Sequence, residues 1–588
     1  MKSRKIISIT LALITALFAV MSCIPTALAA EHEANGATYF SFTDSGITVS
    51  EGTYDGYRIE DTSLTINDSG TYVLSGSCSD GSVKVKKGTT GVILVLSGLN
   101  LTSSVTAPIA CNKSTEVRII VASGSVNTLT DSAKNNDDNY PDNTDAENAV
   151  IKCKDGSQVT LSGSGTLNII ANGKNGIKSG ATTDEEGEAW MTISDLTLNI
   201  TASVNDAINA EQLLNVTSGN ITISAGDDAI HSDYILNIGS ENGEGPVIII
   251  KNCYEGLEAA TLNVYSGNIT IHASDDCLNA ANSDLSGYAF SLNIYGGTLV
   301  MDTTSGDGVD SNGSLTISGG TLVVWSANTA DNQPLDADGT ITISGGTILA
   351  AGGSNGMGMN LSASQPYVIY GSASGMGGGM GGNFPGGGRG NGNFPDRSDQ
   401  SGDIPTPPNG DFSGDMPTPP NGDTTDTKGG FPGGNQGGGF PGNIGSSVSI
   451  SSGSTITLKD SSGNTVYSGE ALCNASVLIF SSSALENGET YTLYANNTET
   501  GTATASTDGS GSIGGNHGGN QPSGNQGGSN TASDNQSDGS ETAAPDNSSA
   551  DSTASSSSDG NTGLWIAIGV LSAALVVIII LLCKTRKK

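Results

Sequence analysis

The sequence predicts an all-β protein built from a stacked repeat. A six-residue word recurs eight times, and its third residue lies at positions from 150 to 334. Each copy begins with polar or acidic residues, continues with a small residue and an aliphatic residue, and then has a polar residue. The copies are NAVIKC, KNGIKS, NDAINA, DDAIHS, YEGLEA, DDCLNA, GDGVDS and NQPLDA. They follow one another at intervals of 21 to 31 residues. A repeat of this length with short strand-like runs is typical of a parallel β-helix.

A second column of glycines repeats in phase with the word. Each glycine precedes a β-rich run such as SGNITI or GGTLVV; the positions are Gly165, Gly219, Gly245, Gly267, Gly297, Gly320 and Gly346. The runs alternate apolar and polar residues, which suits half-buried strands, and the region shows no helical period. The alternative is a β-sandwich with ordinary turns, but two columns in phase over eight units favour the parallel β-helix, with three short strands in each unit.

The composition of the chain divides it into seven segments. We expect a signal peptide in 1–30, the β-helix in 31–371, a Gly-, Pro- and Met-rich disordered insertion in 372–445 and a small β-rich segment in 446–500. The last of these is expected to complete the β-helix by pairing with Tyr367–Tyr370. A disordered stalk in 501–562, a transmembrane helix in 563–583 and a basic cytoplasmic tail in 584–588 would follow.

These segments predict a single-pass membrane protein with an extracellular N-terminal domain at the cell surface. Cleavage after Ala27-Leu28-Ala29 is the first interpretation of the N-terminus, and lipid attachment at Cys23 is the second. The chain has 59 acidic and 23 basic residues, and a field of that sign repels nucleic acid and attracts cations. The six cysteines between the two terminal segments include no CxxC pair, so their pairing stays open.

Acidic residues occupy one position of the word in five consecutive copies: Asp206, Asp228, Glu255, Asp276 and Asp307, with Asp227 and Asp275 one residue earlier. Equivalent corners of a parallel β-helix lie about 4.8 Å apart, the spacing between neighbouring strands. Adjacent carboxylates at this distance repel by roughly 3 kcal/mol at an effective dielectric constant of 20. Hard oxygen ligands in loops favour Ca²⁺ over Zn²⁺, and the histidines His231 and His272 stand isolated in the sequence. The alternative is that each Asp satisfies backbone groups of a solvated turn.

Several segments taken in order resemble a known family. GTYVLSG, GSVNTLTD, GSGTLNIIANGKNGIKSG and the recurring acidic words are similar to the bacterial carbohydrate-binding β-helix family of clostridial surfaces, itself similar to the pectate-acting polysaccharide lyases. The resemblance covers about residues 45–355. It implies a right-handed β-helix that binds Ca²⁺ and attaches to plant cell-wall polysaccharide of the polygalacturonate or cellulose class. The metal-ligating positions that it implies are Asp206, Asp227, Asp228, Glu255, Asp275, Asp276 and Asp307. Lys174-Asn175 and Asn332-Gln333 depart from the acidic pattern, which limits metal to the middle units.

Three functions follow from this sequence. The first is a non-catalytic carbohydrate-binding protein, for which we expect Trp325, Lys178 and Lys251 to contact the glycan and no residue to be catalytic. The second is a Ca²⁺-dependent lyase that acts by β-elimination, in which Lys178 is the candidate base, with Lys152 and Lys251 near. The third is an adhesin that recognises protein, since stacked repeats offer long flat faces.

Overall fold

The structure is a computed structural model that describes residues 36–50, 52, 55–329, 332–353, 359–371 and 448–507. These residues form β-strands, turns and irregular segments and contain no helix. Within them, nothing has the length and apolar character of a membrane-crossing helix. The predicted signal peptide, the insertion in 372–445, the transmembrane helix, the basic tail and the stalk beyond residue 507 lie outside the described residues.

The strands number 38 in the described residues. The first half comprises β1 Thr38–Thr43, β2 Gly46–Val49, β3 Tyr57–Glu60, β4 Ser63–Ile66, β5 Gly70–Cys78, β6 Ser82–Val85, β7 Val92–Thr102, β8 Ile109–Cys111, β9 Glu116–Val121, β10 Val126–Thr130, β11 Ala149–Cys153, β12 Gln158–Gly163, β13 Thr166–Ala171, β14 Asn175–Ser179, β15 Trp190–Ile193, β16 Thr197–Ala202, β17 Ile208–Ala210, β18 Leu213–Val216 and β19 Asn220–Ala225. The second half comprises β20 Ile230–Ile238, β21 Val247–Cys253, β22 Leu257–Val264, β23 Asn268–Ala273, β24 Leu278–Ala280, β25 Ser291–Ile294, β26 Thr298–Thr303, β27 Val309–Ser311, β28 Ser314–Ile317, β29 Thr321–Trp325, β30 Ile341–Ile343, β31 Thr347–Gly352, β32 Leu361–Ala363, β33 Tyr367–Tyr370, β34 Thr455–Lys459, β35 Thr465–Glu470, β36 Val477–Ser481, β37 Thr490–Ala495 and β38 Thr498–Thr504.

Most strands belong to three parallel ladders, in which each strand pairs with the equivalent strand one repeat earlier and one repeat later. Ladder A carries the word and contains β4, β6, β8, β11, β14, β17, the start of β20, the start of β22, β24 and β27. Ladder B contains β9, β12, β15, β18, the ends of β20 and β22, β25, β28, β30 and β32. Ladder C contains β10, β13, β16, β19, β21, β23, β26, β29 and β31. This parallel pairing differs from the antiparallel pairing of a β-sandwich.

The core is a continuous set of aliphatic side chains supplied by alternate residues of every ladder. Leu214 and Val216 of β18 are buried, for example, whereas the alternate residues Leu213 and Asn215 are half-buried. The period of two therefore directs one side of each strand into a single core cluster shared by the three ladders. The prediction of an all-β, repeat-built protein is confirmed.

The glycine column has a backbone cause. Gly297 lies immediately before β26 with φ at +87°, in the left-handed region that side-chain-bearing residues avoid. Gly165 has a different constraint, because a Cβ atom there would lie 2.2 Å from the carbonyl oxygen of Ala122 in the preceding repeat. The turn into ladder C thus requires glycine either for its backbone angle or for close stacking on the neighbouring turn.

The C-terminal segment covers the end of ladder C. β36 pairs antiparallel with both β31 and β33, the strand Tyr367–Tyr370 with which the sequence predicts this segment to pair. β35, β34, β37 and β38 form a separate four-stranded antiparallel sheet. Its apolar residues, together with Phe480 of β36, form a second core cluster against ladder C.

That second cluster contradicts the prediction for Trp325. The side chain lies on the side of β29 that faces away from the main core, as a sugar platform would, and pairs in register with Asp302. The C-terminal segment packs over it, so Trp325 is 0% exposed and offers no ring face to a glycan. The prediction is wrong because the covering residues follow more than a hundred positions later in the chain.

We predict that Trp325→Ala lowers the free energy of unfolding by about 3–5 kcal/mol, the range for truncating a large buried aromatic residue. Trp190→Ala is the matched control, since Trp190 is only half-buried and should lose clearly less. Urea denaturation of the full chain, followed by circular dichroism, measures both. Equal losses in the two variants would contradict the covered position of Trp325.

Candidate functional site

The word forms two columns along ladder A. Its aliphatic residue points into the core, and the residue after it forms an outer column in strict register: Lys152, Lys178, Asn209, His231, Glu258, Asn279 and Asp310. The residue two positions before the aliphatic residue forms a corner column: Asn175, Asp206, Asp228, Glu255, Asp276, Asp307 and Gln333. The metal ligands expected from the sequence lie in the corner column or one residue before it, and none was expected from the outer column, three residues after the corner position in each copy.

The small residue of the word keeps the corners close together. The amide of Ala207 donates to the carbonyl oxygen of Asp228 in the next repeat at 2.9 Å, and the amide of Ala229 donates to Glu255 at 2.9 Å. A Cβ atom on Gly256 would lie 2.3 Å from the carbonyl oxygen of Cys277. Only small residues fit between successive corners, so the corner side chains are held at the spacing of the backbone.

Four corner aspartates each accept a hydrogen bond from the backbone of the next corner. Asp206 Oδ1 accepts from the Asp228 amide at 3.2 Å, and Asp228 Oδ1 accepts from the Glu255 amide at 3.3 Å. Asp276 Oδ1 accepts from the Asp307 amide at 2.6 Å, and Asp307 Oδ1 accepts from the amide of Gln333. The turn-satisfying role that the sequence left as an alternative is therefore present, and it uses one oxygen of each carboxylate.

Two acidic clusters lie on ladder A, each made of three carboxylates. In each cluster one carboxylate oxygen per residue lies within 4.8 Å of the others; the clusters are Asp206, Asp227 and Asp228, and Asp307, Asp310 and Asp336. Burial, reinforced by the neighbouring Asp228, raises the pKa of Asp206 to about 6. Burial raises the pKa of Asp307 to about 8 and that of Asp310 to about 6, with Asp336 adding to both. These groups resist ionisation in the absence of a positive partner.

His231 provides a positive charge to three carboxylates, and one of them, Asp228, belongs to the first cluster. Its Nδ1 lies 3.2 Å from Asp228 Oδ2 and 2.5 Å from Glu258 Oε2, and its Nε2 lies 3.0 Å from Asp233 Oδ1. Burial alone lowers the pKa of His231, but the three carboxylates outweigh it and raise the pKa to about 12. The imidazolium is therefore an internal counter-ion. The expectation that the histidines are isolated is wrong, and His272 likewise lies 2.6 Å from Asp302.

The remaining predicted acids lie outside these clusters. Glu255 is one methylene longer than aspartate and accepts a hydrogen bond from Asn279 Nδ2 at 2.8 Å instead of from the next corner. Burial and Glu258 raise the pKa of Glu255 to about 9, and burial raises that of Asp276 to about 7. Asp275 accepts a hydrogen bond from the hydroxyl of Tyr254. Of the seven predicted ligands, three thus fall in the first cluster and Asp307 in the second.

The lysines occupy different surroundings. Lys178 Nζ lies 3.0 Å from Glu211 Oε1 and donates to Asn209 Oδ1 at 3.1 Å, so it is an ion-paired residue at the edge of the first cluster. Lys152 is its register partner, and burial together with the charge of Lys178 lowers the pKa of Lys152. Lys251 is exposed on β21 of ladder C, away from the word columns.

A cavity of about 400 Å³ opens beside His231. Asp233, Tyr234, Glu258 and the segment 282–285 line it. Tyr288 of the same loop donates or accepts a hydrogen bond with Thr261 at 2.9 Å, which holds the loop against ladder B. No sequence signal marks this cavity, because it depends on a ten-residue loop folding back over the start of two strands.

Comparison with known proteins identifies the class of molecule that carries this site. Residues 60–356 match a family model described as carbohydrate-binding domain-containing protein. The match covers half of the chain, and the chain belongs to this family.

One similar protein from Acetivibrio thermocellus (strain ATCC 27405), also described as a carbohydrate-binding domain-containing protein, is 35% identical over 124 residues. The aligned part is 21% of this chain and 42% of that protein, so the chain spans less than half the length of this relative. A solved structure described as the polysaccharide lyase-like protein from C. thermocellum, gadolinium derivative, covers 56% of this chain and 97% of its own at 21% identity, with a TM-score of 0.30.

We predict that the stability of the chain in chelator falls as the pH rises from 5 to 8. The unfolded carboxyls titrate near pH 4, whereas the folded ones titrate between about 6 and about 9, so the folded chain holds more protons in this window. The His231 contribution has the same sign, since it is complete below pH 6.5 and declines toward about 12. Thermal unfolding measures the slope.

Asp307→Asn is the control for this pH dependence. The amide oxygen of asparagine still accepts a hydrogen bond from the Gln333 amide, but the side chain no longer ionises. The variant should therefore be less sensitive to pH than the parent chain. A stability that stays constant or rises between pH 5 and 8 would contradict the raised pKa values.

Proposed function

We propose that this chain is an extracellular, membrane-anchored and non-catalytic protein that binds polysaccharide with the help of Ca²⁺. The observation that carries the proposal is the pair of all-carboxylate clusters on ladder A, in a chain that belongs to a carbohydrate-binding family. The partner class is acidic or plant cell-wall polysaccharide of the polygalacturonate or cellulose type. We also propose that the three in-register ladders wind as a right-handed parallel β-helix, for which their pairing of each strand with the next repeat is the support.

The donor set of the two clusters fits Ca²⁺. Calcium takes six to eight oxygen ligands in flexible geometry, and each cluster offers three carboxylates without nitrogen or sulfur. In the first cluster the second oxygens already have partners, because Asp206 Oδ2 accepts a hydrogen bond from Asn209 Nδ2 at 2.6 Å and Asp228 Oδ2 lies 3.2 Å from His231 Nδ1. A cation there would share or replace these contacts. Asp206, Asp227 and Asp228 would hold one ion, and Asp307, Asp310 and Asp336 a second. The group around His231 does not fit, because a protonated imidazole is no ligand.

A calcium dependence of binding follows from the charge of the molecule. The formal net charge of −36 repels a uronate polymer, which is itself negative. A cation held by protein carboxylates can also coordinate a uronate carboxylate through its remaining coordination positions. The protein and the polymer, which would otherwise repel each other, are then bridged by the cation. The signal peptide, stalk and transmembrane helix expected from the sequence support placement at the cell surface.

A Ca²⁺-dependent lyase is the second candidate, and one observation favours it. β-Elimination needs a base with a pKa near the working pH, and Lys152 on ladder A has a lowered pKa. Lys178, the base expected from the sequence, is instead paired with Glu211. A lysine beside a second lysine and near the first acidic cluster is the arrangement that such an enzyme would use.

We predict that the full chain is retained on polygalacturonate in Ca²⁺ and released by chelator. Asp228→Asn and Asp307→Asn should each weaken calcium binding at least as much as the roughly 10- to 100-fold that loss of an outer-shell partner costs. Asp142→Asn is the matched control, because Asp142 is exposed and belongs to neither cluster. Calorimetric titration with Ca²⁺ and a pull-down on the polymer measure the two effects.

The absorbance of unsaturated product, recorded in the same incubations, decides between binder and lyase. Retention without product supports the binder. Product that requires Ca²⁺ and disappears in Lys152→Ala or Lys178→Ala would replace the binder with the lyase. Retention that survives chelation and both aspartate substitutions would contradict the proposed role of the clusters.

A further inference from the structure

Between β12 and β30 the outer side of ladder B carries no charge, whereas its first strand, β9, presents Glu116 and Arg118 in register with Gln158 and Thr160. From β12 to β30 the outward residues are amides, hydroxyls and apolar side chains, and one row of them is Thr160, Thr192, Asn215, Asn237, Asn263 and Asn293. A run of this length without a carboxylate stands out in a chain with 59 acidic residues. The two acidic clusters lie on ladder A. We call this surface the neutral face.

An amide ladder runs along the middle of the neutral face. Asn237 Nδ2 donates to Asn215 Oδ1 at 2.9 Å, Asn263 donates to Asn237 at 2.9 Å, and Asn293 donates to Asn263 at 3.0 Å. A primary amide has two N–H donors and two acceptor lone pairs, and a ladder uses one of each. Each interior asparagine therefore keeps one donor and one acceptor, in a row with the period of the strands. Sugar hydroxyls are both donors and acceptors and match such a row.

Aromatic side chains border the amide ladder on both sides. At the start of the strands, Tyr288 packs edge-on against Tyr234 with ring centroids 6.3 Å apart and lies 5.5 Å from Phe290. At the end of the strands, Tyr265 and Tyr295 stack with centroids 5.0 Å apart and an interplanar angle of 13°. Tyr295 is 45% exposed. Rings beside a polar row supply the apolar contact that the carbon-bound hydrogens of a sugar ring require.

We propose that the neutral face binds an uncharged polysaccharide strand over residues 215–295, with the amide ladder as floor and the two groups of aromatic residues as rims. The absence of charge selects this occupant, because a uronate chain would gain nothing from the face and would pass close to the acids of ladder A. The proposal rests on the proposed function and assigns the neutral glycan to a surface separate from the calcium clusters.

The test measures affinity for a soluble β-1,4-glucan hexasaccharide, with retention on insoluble cellulose recorded in parallel. Asn237→Leu/Asn263→Leu in the full chain removes two amides while keeping similar volume, and we expect a loss of roughly 10- to 30-fold in affinity. Asn168→Leu/Asn199→Leu is the matched control, since that pair makes the same amide bond, at 2.9 Å, on ladder C. The control should bind as the parent chain does.

A second pair of variants keeps the test independent of folding. Tyr295→Ala truncates an exposed ring of the rim and should also weaken binding of the hexasaccharide. Tyr254→Ala truncates a ring of equal exposure, 47%, at the acidic corner and should leave that binding unchanged. Equal affinities of the neutral-face variants and their controls would overturn the proposal.

The polymer series separates this inference from the proposed function. Calcium-dependent retention on polygalacturonate, with no affinity for the glucan, would overturn the neutral-face assignment and leave the proposed function standing. Retention on neither polymer would overturn both. Binding of the glucan that is lost in Asn237→Leu/Asn263→Leu but kept in the ladder C control supports the assignment.

Discussion

The in-register stacking of repeats is the constraint on which the rest of this structure depends. Parallel pairing places each side chain about 4.8 Å from its equivalents in the neighbouring repeats. The type of side chain at one position of the repeat therefore recurs as a row along the stacked repeats. Aliphatic rows form the core at no electrostatic cost. Asparagine can stack because its amide donates to the previous copy and accepts from the next one, as Asn237 and Asn263 do. Carboxylates have no such complementarity, and a row of them requires protons, cations or hydrogen-bond donors.

Ladder A shows several of these solutions within a few repeats. Backbone amides serve Asp206 and Asp276, and a histidinium serves Asp228 and Glu258. Burial still raises the pKa of Asp206 to about 6 and that of Asp276 to about 7, so one backbone hydrogen bond does not offset it. Ladder B avoids the problem by carrying amides and hydroxyls. The same repeat thus produces one charged and one neutral surface. On the proposed function, these two surfaces would hold acidic and uncharged glycans separately.

The sequence predicted what is local to one repeat and missed what depends on residues far apart. The word and the glycine column are set by a tight corner and by positive φ, so they are visible in six residues. The burial of Trp325 depends on residues 448–507. The contacts of His231 to Asp233 and Glu258 depend on register between repeats of unequal length, which no spacing rule supplies. Asp310 and Asp336 share one position of the word, but their approach to Asp307 depends on the same register.

The two interpretations of the corner aspartates, turn residue and metal ligand, are compatible because a carboxylate has two oxygens. The short aspartate side chain holds one oxygen at the next amide and leaves the other toward the cluster. Glu255 tests this within the chain: with one more methylene it gives up the backbone contact, bonds Asn279, and belongs to neither all-carboxylate cluster. The hydrogen bond to the backbone is not sufficient by itself, because Asp276 accepts it from the Asp307 amide at 2.6 Å and also belongs to neither cluster. The corner residues of the two proposed calcium sites, Asp206, Asp228 and Asp307, all accept that bond, so we expect a corner that loses it to contribute less to the proposed calcium binding.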